Sequence, residues 1–179
     1  MNRVAIVLAV ALLGIAAARA DERGAAVVDA FKTSCLSELP NFARIDARAE
    51  AEHLPVNQEA GTPRQAEGFF NHLKSWLLIR SEGTYELSAV EARGPAGEVA
   101  TCALAASDAP GDEVKQDLMK ALDLGPPGRE AVSPDGLRRS SAWYLQLQGT
   151  QTILLLIDAS PTGNPGAYLN VTHRPAAGS

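Results

Sequence analysis

Residues 75–106 read SWLLIRSEGTYELSAVEARGPAGEVATCALAA, and the punctuation of this stretch decides the fold class. Three strand-sized pieces stand in a row: Ser75 to Ser81 around Trp76-Leu77-Leu78-Ile79, then Thr84 to Ala92, then Glu98 to Ala106. Only Glu82-Gly83 and Gly94-Pro95-Ala96-Gly97 separate them. Connections that short join antiparallel neighbours, because parallel strands need a crossover of about a dozen residues or more. The stretch is therefore a three-stranded antiparallel meander. On its third strand Ala100, Cys102 and Leu104 share one face, since side chains alternate along a strand.

Toward the C-terminus the pattern changes to a helix and back. Asp112-Glu113 suit the positive end of a helix whose apolar stripe is Val114, Leu118, Ala121 and Leu122, and Gly125-Pro126-Pro127 stop it. Gly128 to Leu137 reads as a polar loop. Ser141 to Gln148 then alternates, with Trp143, Leu145 and Leu147 on one face and Tyr144, Gln146 and Gln148 on the other. Gln151 to Asp158 reads as a buried strand around Ile153-Leu154-Leu155-Leu156-Ile157, and Ala167 to His173 as the last. This second meander echoes the first. Trp76 and Trp143 each stand shortly before a Gly-Thr pair, at Gly83-Thr84 and Gly149-Thr150, and Cys102 and Tyr168 each follow nineteen residues past that glycine.

On the N-terminal side Val28, Phe31, Cys35 and Leu39 fall on one helical face that ends near Pro40, so Cys35 points toward the core. An Ala-, Arg- and Glu-rich helix from Ala43 to His53 stops at Leu54-Pro55. Asn57 to Gln65, with Gly61 and Pro63, reads as a loop. The expected architecture is α+β: an antiparallel sheet of about six strands in two three-stranded meanders, helices packed on one face, with an αβββ unit used twice.

The first twenty residues have another character. Met1-Asn2-Arg3 gives a positive start, Val4 to Ala18 is an apolar run, and Ala18-Arg19-Ala20 is a small-x-small end; together these make a secretory signal peptide. The run is shorter than the ~20 apolar residues that span a bilayer. Cleavage between Ala20 and Asp21 leaves residues 21–179 as one domain, with no cysteine at the new terminus to carry a lipid and hence no stable membrane anchor. The leader removes Arg3 and Arg19 and no acidic residue, so the formal charge of −5 becomes −7. That balance argues against nucleic acid as partner, which requires a basic footprint. The expected compartment is the periplasm or the outside of the cell.

Cys35 and Cys102 are the two cysteines, and in an oxidising compartment such a pair forms a disulfide. Ser34-Cys35 has no neighbouring histidine or basic pair that would make a reactive thiolate. Of the three histidines, His53, His72 and His173, none stands at metal-ligand spacing, so neither a metal nor another cofactor is expected. Hydrolase, P-loop and C-x-x-C motifs are absent. No catalytic residue is assigned. Asp158, at the end of an apolar strand, is the most suggestive carboxylate, and Asp158 with His173 is the acid-base pair that a small exported hydrolase would need.

The best binding candidate is a surface. Tyr144 and Gln146 project from one strand, Tyr168 and Asn170 from another, and neighbouring strands would join them into a polar-aromatic face that stacks and hydrogen-bonds. The ordinary alternative is a solvated outer face. The order of features, from the signal peptide through Phe31-x-x-x-Cys35, the Ala-rich helix, the strand at Trp76, Cys102 and the amphipathic helix to the closing Tyr144/Leu-rich meander, resembles a family of small exported proteobacterial proteins of unknown function. The resemblance implies a compartment and a disulfide and transfers no activity. The functional expectation is a non-enzymatic binding or accessory module for an unknown ligand or envelope protein. The alternatives are the exported hydrolase and an inhibitor or envelope-assembly protein.

Overall fold

The computed structural model describes residues 22–37, 41–62, 70–94, 97–147 and 150–174. The signal peptide with its Ala20–Asp21 junction, Leu39, Pro40 and Gln148 lie outside the described residues.

Helix α1 occupies residues 22–31 and runs into a π-helical turn at Lys32–Leu36, closed by the Ser37 N–H donating to the Lys32 carbonyl. That turn carries Cys35 inward to Cys102, with which it forms a disulfide across 67 residues of chain and a Cα–Cα distance of 5.4 Å. Helix α2, Phe42–Ala51, starts at Asn41, whose side chain accepts the Arg44 N–H and so satisfies one of the free amides of a helix start. Its buried stripe is Phe42, Ile45 and Ala49. Helix α3 spans Gly111–Ala121 with Asp112 and Glu113 in its first turn and Val114 and Leu118 buried.

The strands are β1 Val56–Thr62, β2 Phe70–Arg80, β3 Gly83–Gly94, β4 Gly97–Ala106, β5 Arg129–Val132, β6 Arg139–Leu147, β7 Thr150–Asp158 and β8 Ala167–His173. They form one antiparallel sheet in the order β1-β2-β3-β4-β8-β7-β6-β5. The expectation of about six strands is corrected to eight: each meander has four, and the two join through their last strands, β4 and β8. The extra strands, β1 and β5, fall where loops were expected, at Asn57 to Gln65 and Gly128 to Leu137. Both are sheet edges whose described side chains are exposed. A strand with no buried face has no need of alternating apolar residues, so it leaves no periodic trace. A bulge at Asn57 in β1 and the four-residue length of β5 are devices that keep edges from pairing with other chains.

The core lies on one face of the sheet. Trp76, Tyr85, Leu87, Cys102, Leu104, Leu169, Leu154 and Leu156 face the helices and pack in one cluster with Val27, Phe31, Ile45, Val114 and Leu118. Trp143 joins them and donates its indole N–H to the Gly125 carbonyl at 3.0 Å. Polar groups on this side are answered by helix residues. Lys74 meets Asp46 of α2 at 2.6 Å, and this hydrogen bond raises the Lys74 pKa above the usual lysine value. Glu130 of β5 meets Lys115 of α3 at 2.5 Å and accepts from the Ser141 hydroxyl at 2.8 Å.

Candidate functional site

Strand register assigns every side chain of the described strands to the helix-covered face or to the opposite one, called the open face because no helix of the described residues packs on it. The open face carries three principal rows. One runs Leu77, Glu86, Ala105, Tyr168, Ile157, Ser140 and Ala131. The middle row is Ser75, Ser88, Ala103, Asn170, Leu155, Ala142 and Arg129. The third is Leu73, Val90, Thr101, Thr172, Ile153 and Tyr144. Small residues fill much of the middle row, and Ser75 and Ala103 are each 1 % exposed though neither belongs to the core cluster.

Tyr144 and Gln146 are exposed on β6, while Tyr168 and Asn170 are half-buried on β8. All four stand on the open face, yet they do not form one cluster. Strand β7 lies between their strands, an offset of about 10 Å, and Tyr168 is in the row of Ser140, about 13 Å along β6 from Tyr144. What separates them is apolar: Ile153, Leu155 and Ile157, all partly exposed. The expectation of a buried strand at Gln151 to Asp158 is therefore corrected: one of its faces is partly exposed. Only Thr152, Leu154, Leu156 and Asp158 are buried in that strand. The alternation was masked in the sequence because the run Ile153 to Ile157 is apolar on both faces.

The polar residues of β8 satisfy one another. The Thr172 hydroxyl donates to the Asn170 carbonyl oxygen at 2.9 Å, Asn170 donates to the Tyr168 hydroxyl at 3.4 Å, and Thr101 and Thr172 share a hydrogen bond of 3.1 Å. This ladder holds the Tyr168 ring along the strand. Below the ring, at the end of β4, β7 and β8, lies a groove of about 470 Å³ lined by Ala105, Ser107, Ile157, Gly166, Ala167, Tyr168 and Arg138 among others.

Charge is sparse here. In a chain with 21 % charged residues, the open face of the described strands bears only Glu86 and Arg129. Glu86 is already hydrogen-bonded to Asn57 at 3.0 Å. Arg138, at the rim of the groove, makes no hydrogen bond or ion pair through its guanidinium with the described residues.

Asp158 and His173 do not meet. Asp158 pairs with Ala167 at one end of β8 and His173 is paired with Thr152 at the other, about 20 Å away along the strand. Asp158 instead accepts from Arg139 at 3.0 and 3.2 Å and from the Ser160 N–H at 3.0 Å. Its side chain is wholly buried beside Gly111 at the start of α3. That is the chemistry of a structural anchor. His72 stacks on Phe42 and faces Glu59, and His53 closes α2 with φ 54°. Among the described residues no group of three or more histidine, cysteine or carboxylate side chains is placed to hold a metal ion. Among the described residues no helix is long and apolar enough to cross a membrane. Comparison with protein-family models, with curated proteins and with solved structures finds no match to this chain.

Proposed function

We propose that this is an exported protein, cut after Ala20 and working in the periplasm or outside the cell, that acts as a non-enzymatic binding or accessory module through the open face of its sheet. The observation that carries the reading is the uneven covering of the sheet. Three helices pack on one face, whereas the other presents Ile79 at 68 % and Tyr144 at 54 % exposure with half-buried Ile153, Leu155 and Ile157 between. Depletion of charge around apolar and tyrosine side chains is the composition of an interface centre. The Cys35–Cys102 disulfide suits an oxidising compartment. The reading places the chain with the small exported proteobacterial proteins that its order of features resembles, and treats its two helix-and-meander halves as one unit used twice.

Hydroxyl-radical footprinting of the processed protein, alone and mixed with the exported fraction of its source cells, tests this. The proposal expects Tyr144, Tyr168 and Ile79 to be protected in the mixture, with protection lost in the Tyr144→Ala, Tyr168→Ala double variant. Equal labelling of that face with and without the exported fraction would remove it as a binding surface.

A further inference from the structure

We infer that the β8–β7–β6–β5 half of the open face binds a free single-chain amphiphile with an anionic head, of the fatty-acid type. The inference rests on the open-face reading and names its ligand class. The two halves of the face differ in charge. Glu86 stands on the β3 side, whereas the half beyond β4 carries Arg129 on its open face and Arg138 at its upper rim, with no carboxylate on the open face between them. Of the nearby acids, Asp158 is buried against Arg139, whereas Asp135, held in its charged form first by the Ser133 hydroxyl and in part by Arg138, lies in the 133–138 turn off the open face. Arg129 and Arg138 are the groups on this half of the face that attract an anion.

The shape supplies the other half of the ligand. Ile157, Leu155 and Ile153 make a continuous apolar track down β7, about 13 Å long. The Tyr168 ring flanks it at the Ile157 end, where the groove of about 470 Å³ opens beside Arg138, whose guanidinium makes no hydrogen bond with the described residues. A carboxylate held at Arg138 in a charge-assisted hydrogen bond leaves its alkyl chain lying on that track. Burial of the chain supplies affinity and the arginine supplies orientation.

The test uses the processed, disulfide-bonded protein, isotopically labelled, titrated in turn with dodecanoate, dodecanol and phosphatidylglycerol vesicles and followed by NMR. Dodecanoate is expected to shift the amides of β6, β7 and β8 and to bind more tightly than dodecanol. Arg138→Gln is expected to weaken dodecanoate about tenfold, one step of roughly 1.4 kcal/mol, and to leave dodecanol unchanged. Leu155→Glu is expected to lose both ligands, and Ile79→Glu, on the other half of the face, to lose neither. Dodecanol binding as tightly as dodecanoate, indifference to Arg138→Gln, or binding to vesicles with no response to dodecanoate would each overturn the inference. Footprint protection of Tyr144 and Tyr168 by the exported fraction, with no response to dodecanoate, would also overturn it while leaving the open face as a protein-binding surface.

Discussion

Asp158 shows how much a single side chain can fix. Its carboxylate is entirely buried, and Arg139 answers it while also reaching Asp112 in the first turn of α3 at 2.5 Å. The residue thus ties the end of β7 to the start of β6 and to a helix. Asp158→Ala leaves Arg139 with the exposed Asp112 and a long hydrogen bond to the Ser160 hydroxyl, and urea unfolding should show a loss of about 3 kcal/mol, the lower end for a broken buried pair. Gly111 is part of the same contact: a Cβ there would stand 2.3 Å from the Asp158 Cβ. Gly111→Ala should cost about 1–3 kcal/mol by overpacking, read from the same unfolding curves. The Glu130 carboxyl is held below the usual glutamate range by its hydrogen bond from Lys115 and then by that from Ser141. A depressed pKa in the folded state means that the native form binds fewer protons, so stability rises with pH through this window. The contribution is present above the ordinary glutamate pKa and lost as the pH falls through the folded value. Glu130→Gln should flatten that part of the urea-midpoint profile.

At the scale of elements, β7 separates the two faces most sharply. Leu154 is fully buried and Leu155, its neighbour, is only partly so. Leu154→Ala should cost about 3 kcal/mol and Leu155→Ala no more than about 1 kcal/mol in denaturant unfolding, because only the first opens a cavity in the core. A comparable loss at both positions would mean that the open face is covered. The same strand marks where the sequence stops being informative. Alternation was legible at Trp143, Leu145 and Leu147, where one face is polar, and the inward direction of Cys35 and Cys102 was legible from spacing. It was not legible in β7, where both faces are apolar, nor in β1 and β5, whose polar composition reflects two exposed faces. The candidate residues Tyr144, Gln146, Tyr168 and Asn170 all stand on the face opposite the helices. Their separation by β7 was hidden, since strand order depends on how two meanders join and not on either alone.

For the whole molecule, the disulfide fastens the N-terminal helical segment to the central strand β4, so its effect reaches both meanders. Closing a loop of 67 residues stabilises by about 4 kcal/mol in the chain-entropy treatment. Reduction, or Cys35→Ser with Cys102→Ser, should lower the unfolding free energy by up to that amount while leaving the eight-stranded sheet recognisable by circular dichroism. The central claim is that this chain is exported, oxidised and built to carry a ligand on an open sheet face. Native mass spectrometry of the protein purified from the exported fraction, repeated after denaturation with and without reduction, tests it most directly. The account predicts a chain that begins at Asp21, gains about two hydrogens on reduction as one disulfide requires, and sheds a small anionic mass on denaturation. A bare chain that still begins at Met1 and carries free thiols would contradict it.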